Sequence, residues 1–153
     1  VRVETEDDWI HVRSNGVFRP VNVKTQGYPG YPTDVQQPLS ALLTVARGTS
    51  IVTETIFENR FRFLDELRKM GANVRVIESS AIITGVESLV SARVNATDLR
   101  AGAAMVIAAL MAEGETEIGG VEYILRGYER FDEKLRSLGA SVKRVAARSY
   151  ARV

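Results

Sequence analysis

The sequence predicts an α/β fold (α+β by some schemes) carried by one duplicated unit. Three observations point to it. Strand-like and helix-like periods alternate along the chain. Two helices open on the same pair, Thr33-Asp34 and Thr97-Asp98. Two later helices end in matched text, Leu67-Arg68-Lys69-Met70-Gly71-Ala72-Asn73-Val74 against Leu135-Arg136-Ser137-Leu138-Gly139-Ala140-Ser141-Val142. Self-similarity of this kind marks a repeated structural unit. The copies cover about residues 33–76 and 97–145 of a single, partial domain spanning 1–153.

The elements follow in order. Residues 1–5 and 9–12 read as a hairpin turned by Glu6-Asp7-Asp8. Residues 20–24 form a further strand, and Tyr28-Pro29-Gly30-Tyr31-Pro32 is a stiff, punctuated loop. A helix then runs to about Ala46, with Leu39, Leu42, Leu43 and Ala46 on one face, and Gly48 stops it. Pro38 is easiest at a first helical position, so regular helix is expected to begin nearer Gln37, with Asp34 in the approach turn. The β-branched text of 49–55 is a strand, and 61–70 a helix with Leu64, Leu67 and Met70 in line. Strands are expected at 73–77, 81–84 and 91–95. Residues 99–112 are a strong helix, apolar at Leu99, Ala103, Val106, Ile107 and Leu110. Short strands at 115–118 and 123–125, a helix over 128–138, a last strand at 141–145 and a loose tail over 146–153 complete the reading. Because βαβ connections are right-handed, both copies are expected to put their helices on one side of a sheet.

Bulk composition narrows the function classes. The chain has 153 residues, 45% apolar and 25% charged, as in soluble globular domains. A net charge of +1 offers no basic field for nucleic acid. There is no cysteine, so disulfides and thiol chemistry are excluded, and a single His11 leaves little for a histidine-based metal site. No apolar run has the length of a membrane span. Val1 opens directly into alternating strand text, so the chain reads as a fragment of a longer protein.

Four polar constellations sit where strands hand over to helices, the usual ligand-binding end of α/β units. In Thr33-Asp34-Val35-Gln36, either Thr or Asp is a helix cap by default, yet a carboxylate beside a helix amino end stays ionised and can accept a hydroxyl proton. Glu54-Thr55-Ile56-Phe57-Glu58-Asn59-Arg60-Phe61 is either a solvated loop or a dense polar cluster at a site. Thr97-Asp98-Leu99-Arg100 places an Arg in a first helical turn, against the helix dipole. That is either a local salt bridge or a functional violation of a local rule. Arg126-Gly127-Tyr128-Glu129-Arg130 repeats the pattern, as an ordinary Arg-Glu pair or as a grip on a carboxylate or phosphate. No Gly-rich phosphate loop, nucleophile elbow or metal-ligand spacing is present. Together they suggest an anionic substrate and a hydroxyl to deprotonate.

Read together, Pro32-Thr33-Asp34-Val35-Gln36, the segment from Thr53 to Phe61, Ala96-Thr97-Asp98-Leu99-Arg100-Ala101 and Arg126-Gly127-Tyr128-Glu129-Arg130 resemble the UDP-N-acetylglucosamine enolpyruvyl transferases of bacterial peptidoglycan synthesis. The likeness runs over residues 9–145 and keeps the family's motif order, but covers only about the carboxyl-terminal third of such an enzyme. It implies part of an inside-out α/β barrel of βαβαββ repeats. It also implies transfer of the enolpyruvyl group of phosphoenolpyruvate to the sugar 3-hydroxyl in the bacterial cytoplasm, through a tetrahedral intermediate, without cofactor or metal. By the same resemblance Asp34 is the base at the sugar hydroxyl, Ile56 a backbone contact to the nucleotide sugar, and Arg126 a grip on phosphoenolpyruvate. Arg60, Asp98 and Arg100 line the cleft or its closure. A preorganised cationic cleft would stabilise the charge of the addition step.

The implied partners are UDP-N-acetylglucosamine, phosphoenolpyruvate and the remaining amino-terminal part of the enzyme, in the same or a separate chain; neither nucleic acid nor membrane is among them. The family's proton-donating Cys, its amino-terminal Lys-Asn pair and its other phosphate-binding Arg have no counterpart here. The chain alone is therefore expected to be inert, and an open sheet edge to favour self-association. Two alternatives stand beside this reading: an enolpyruvylshikimate-phosphate synthase, against which the Thr-Asp-Val-Gln and Phe-Glu-Asn-Arg-Phe text speaks, and a non-catalytic scaffold binding an anion or a protein. Of the two Thr-Asp pairs, Asp34 takes the sharper chemical role and Asp98 keeps more of the capping one.

Overall fold

Two strand–helix–strand units set the frame of the computed structural model, which describes residues 1–145. An antiparallel ribbon of β1 (Arg2–Thr5) and β2 (Ile10–Arg13) precedes them, with Thr5 opposite Ile10 and Val3 opposite Val12. The first unit is β3 (Asn22–Lys24), α1 (Thr33–Leu43) and β4 (Thr49–Thr53), with β3 and β4 parallel. It continues through α2 (Leu64–Lys69), β5 (Asn73–Ile77) and β6 (Ser80–Thr84). β6 lies antiparallel between β4 and β5, giving a four-stranded sheet in the order β3-β4-β6-β5.

β7 (Leu89–Val90) leads to the second unit, β8 (Arg93–Asn95), α3 (Leu99–Met111), β9 (Ala112–Glu113) and β10 (Glu117–Gly119). β8 pairs with β10 and β7 with β9, both parallel. α4 (Val121–Leu125) and α5 (Phe131–Ser137) follow.

The hydrophobic pattern explains the layering. β4 buries alternate residues Ser50 and Val52, β6 buries Ala81 and Ile83, and β5 buries Val74. One face of the sheet is thus apolar, as for an antiparallel sheet covered on one side. Phe63, Leu64, Leu67 and Met70, all essentially inaccessible, belong to the same core. Each such side chain contributes roughly 1.5–3 kcal/mol relative to exposure. α3 buries Ala101, Gly102, Ala103, Ala104, Met105 and Ala108, and these small residues let it pack closely against α1. At Gly102 a Cβ would come within 2.5 Å of Ile124 Cγ1, so glycine is what admits α4.

Strands and helices alternate as the periods predict over most of the described residues, and several expectations are corrected. Regular helix begins at Thr33, so Asp34 lies in its first turn and Pro38 lies inside α1. A proline there removes one intrahelical N–H without breaking a helix otherwise held by packing. Residues 123–125 are not a strand: Gly120, left-handed with φ 68°, turns the chain into α4, which buries Ile124. Residues 141–145 form no strand, since among the described residues no strand pairs with them. α2 and α5 begin at Leu64 and Phe131, each after a turn of chain that the periodicity counts as helix. The sheet is not continuous across the copies. Among the described residues the strands fall into four separate sheets, and α1 packs on α3. The tail expected over 146–153 lies outside the described residues.

Candidate functional site

Helix amino ends attract carboxylates, and α1 carries Asp34 in its first turn. Pro32 occupies the cap position, extended and without a side-chain cap, so neither Thr33 nor Asp34 performs the capping their sequence suggests. Thr33 instead donates its hydroxyl to Glu54 Oε2 at 2.7 Å. Asp34 points its carboxylate into two guanidinium groups. Arg60 Nη2 lies 3.1 Å from Oδ1, and Arg100 Nη2 lies 2.6 Å from Oδ2. One cation comes from the β4–α2 connection and the other from the first turn of α3, 66 residues away in sequence. The Arg100 hydrogen bond, with the charges of Arg100 and Arg60 and the Arg60 hydrogen bond, outweighs desolvation and holds Asp34 below the ordinary aspartate range. The same pair raises Arg100.

Asp98 behaves as a cap. Its Oδ1 accepts from the backbone N–H groups of Arg100 at 2.8 Å and Ala101 at 2.9 Å. The Arg100 side chain is therefore not spent on Asp98. Its unfavourable place at the amino end of α3 is offset by Asp34 across the α1–α3 contact.

Behind this pair stands Glu54, only 4% exposed, at the end of β4. Its Oε1 accepts from Thr25 Oγ1 at 2.9 Å, Ile56 N at 2.8 Å and Phe57 N at 3.2 Å, while Oε2 accepts from Thr33. Burial alone would push Glu54 up; these four donors overcome it and bring the carboxyl below its usual range. The carboxylate thus ties together the residue after β3, the first residue of α1 and the loop after β4. The Ile56 N–H is committed to Glu54, and its carbonyl accepts no hydrogen bond among the described residues.

The loop then turns at Asn59, left-handed at φ 54°, a conformation Asn tolerates. This delivers Arg60, whose side chain is only 17% exposed, over the Phe57 ring at 4.6 Å. Gln37 Nε2 donates to the Arg60 carbonyl at 3.4 Å.

These elements enclose a cleft of about 620 Å³ that collects Arg60, Arg62, Arg100 and Arg126, with Asp98 and Glu58 also at its wall. Arg126 lies over the Tyr123 ring at 5.1 Å. Neither Arg126 nor Arg62 has an ion-pair partner among the described residues, whereas Glu129 pairs with Lys134 and Arg130 with Glu133. The ordinary Arg-Glu surface pair therefore does not account for Arg126. The cleft presents two unpaired guanidinium groups beside a carboxylate held by two more, an arrangement able to bind a multiply charged anion next to a proton acceptor. Among the described residues no cluster of three or more His, Asp or Glu is placed to hold a metal ion, and no helix is long and apolar enough to cross a membrane.

Asp34, Arg60 and Arg100 are thus in direct contact, and Asp98 and Arg126 line the same cleft. Ile56 is not among the residues lining the cleft; its N–H bonds Glu54, which holds Thr33 next to Asp34. Sequence reasoning missed the roles of Glu54, Thr25 and Arg62. Glu54 belongs to a visible polar cluster, but its burial depends on Thr25 and Thr33, which no local pattern links to it.

The family described as EPSP synthase (3-phosphoshikimate 1-carboxyvinyltransferase) matches residues 1–135. The chain is 59% identical over 145 residues to a UDP-N-acetylglucosamine 1-carboxyvinyltransferase of Clostridium botulinum, covering 95% of this chain and 35% of that protein. It is 53% identical over 144 residues to a protein of the same name from Desulfofundulus thermocisternus, covering 94% of this chain and 59% of that one. Among solved structures, the enolpyruvyl transferase NikO from Streptomyces tendae is 30% identical with a TM-score of 0.87, over 95% of this chain and 34% of that one. An EPSP synthase from Acinetobacter baumannii, 24% identical with a TM-score of 0.50 over 56% of this chain and 21% of that one, shares the fold. The chain spans about a third of the length of the first curated relatives it matches.

Proposed function

This chain belongs to the EPSP synthase (3-phosphoshikimate 1-carboxyvinyltransferase) family, and from that premise we propose that it is part of an enzyme transferring the enolpyruvyl group of phosphoenolpyruvate to the 3-hydroxyl of UDP-N-acetylglucosamine, releasing phosphate. Identity of 53–59% to proteins named for the UDP-N-acetylglucosamine reaction favours that acceptor over a shikimate phosphate. On this reading the enzyme works in the bacterial cytoplasm, at the first committed step of peptidoglycan synthesis.

The observation that carries the proposal is Asp34 held between Arg60 and Arg100 beside the unpaired Arg62 and Arg126. In the proposed roles Asp34 takes the proton of the sugar hydroxyl, whose oxygen attacks C2 of phosphoenolpyruvate. Arg126 grips the phosphoenolpyruvate anion. Arg60 and Arg100 offset the charge that develops, and Asp98 fixes the start of α3 beneath them. The open carbonyl of Ile56 receives the nucleotide sugar. Addition also requires a proton at the methylene carbon, and the family's Cys for that step is absent from this chain.

Two measurements test this. Titrating UDP-N-acetylglucosamine onto the chain is expected to shift the amide resonances of Asp34 and Ile56; a saturating titration that leaves both unmoved refutes the acceptor assignment and favours a scaffold. The chain by itself, given both substrates, is expected to release no phosphate, and measurable release would overturn the proposal that the proton donor for the methylene carbon lies outside these 153 residues.

A further inference from the structure

A general base must have a free lone pair directed at the proton it removes. Asp34 meets that requirement poorly as it stands. Oδ2 is taken by Arg100 at 2.6 Å and Oδ1 by Arg60 at 3.1 Å, and both contacts lower its affinity for a proton. Its own helix brings no other charge to it. The remaining ionisable groups that face the pair are Glu58 and Arg62 from the loop after β4, Asp98 from the start of α3, and Arg126 and Tyr128 from the turn after α4. None of them contacts the Asp34 carboxylate.

The two cations have other possible partners. Arg60 and Arg100 reach Asp34 through one Nη2 atom each, leaving further donors of both guanidinium groups uncommitted to it. They share the cleft with Arg62 and Arg126, which already form an unpaired anion-attracting wall. A dianion or trianion seated there is a stronger partner for a guanidinium than a single half-exposed carboxylate.

We propose that Arg60 and Arg100 are positioning residues that keep Asp34 guarded in the empty cleft, and that an oxyanion bound in the cleft draws Arg100 from Oδ2 and frees Asp34 to accept the hydroxyl proton. Binding of one substrate thereby arms the base for the other. The device keeps Asp34 from being protonated before the anion arrives, and it keeps the carboxylate aimed by two cations. This inference rests on the role given to Asp34 above and adds an order of events to it.

The test is a carboxyl carbon-13 titration of the whole chain, with Asp34 assigned by Asp34→Asn, in the absence and presence of saturating inorganic phosphate and, separately, phosphoenolpyruvate. The apparent pKa of Asp34 is expected to lie below that of an ordinary aspartate without anion and to move up when either anion binds. In Arg100→Ala it is expected to start higher and to lose most of its response to anion. Arg100→Lys keeps the charge and is expected to restore part of the response.

Bound anion, seen as a shift of the Arg126 side-chain resonance, with no upward move at Asp34 overturns the proposal. So does an equal upward move in Arg100→Ala, because the anion's own charge then suffices. Absence of any anion binding overturns it as well. If Asp34 responds as expected while UDP-N-acetylglucosamine perturbs nothing, the acceptor assignment falls and the guarded carboxylate stands. Matching amide spectra for the variants show that each is folded, and Arg100→Lys provides the second reading should Arg100→Ala be disturbed.

Discussion

Glu54 is an acid buried without a cation, and its four donors make two predictions. Glu54→Ala leaves two backbone N–H groups and two hydroxyls without their acceptor and is expected to destabilise by at least about 2 kcal/mol, read from the urea midpoint. Glu54→Gln is expected to be milder, because the Thr33 hydroxyl can reverse and accept from the new amide. The pH dependence follows from the direction of the shift. A carboxyl whose folded pKa lies below its unfolded value stabilises the fold above the unfolded pKa, and that stability is lost as pH falls through the folded one. Stability should therefore decline below the ordinary glutamate range, about pH 4.3, and Glu54→Gln should flatten that acid limb. Asp34 acts in the same direction, but it is half-exposed, so its share is small and screened by salt. At this scale the sequence was informative about which residues are polar and near helix starts. It was silent about which oxygen meets which donor. Thr33 looks like a cap and is a donor to a distant Glu, whereas Asp98 looks the same and is a cap.

At the scale of elements, α3 depends on that cap. Asp98→Ala is expected to lower stability by about 1 kcal/mol, with amide exchange accelerating first at Arg100 and Ala101. A sharper constraint sits where the chain leaves β6. Gly85 donates to the Gly48 carbonyl, Val86 donates to Thr44, and a Cβ at Gly85 would overlap the Ala46 carbonyl oxygen. Gly85→Ala must push backbone against backbone, so a loss of more than about 3 kcal/mol in thermal or urea unfolding is expected. Periodicity located almost every element because 2.0 and 3.6 are strong local signals. It misjudged 123–125, whose three apolar-rich residues fit either period, and the start of α1, where packing against α3 carries a helix past its proline.

The whole molecule carries an unfinished surface. In the β1–β2 ribbon, the pairing puts Val3, Thr5, Ile10 and Val12 on one face and Arg2, Glu4, His11 and Arg13 on the other. All eight residues are exposed, and a two-stranded ribbon alone is marginally stable in water. A second copy of the chain can cover that apolar face. Sedimentation equilibrium is expected to show an apparent mass that rises with concentration, and Val3→Lys with Ile10→Lys should abolish the rise; a monomer at all concentrations would refute it. The alternation of strands and helices was legible from sequence, but the division of the described strands into four sheets was not, because pairing between distant strands leaves no local trace. The contact between α1 and α3 has a consequence in genetics. Buried Ala41 and Ala108 belong to the core shared by these two helices, whose amino ends hold Asp34 and Arg100 together. A bulkier residue at position 108, about two turns along α3 from Arg100, would widen that gap. In a screen it would score as a lesion of chemistry, although no reacting group had been altered.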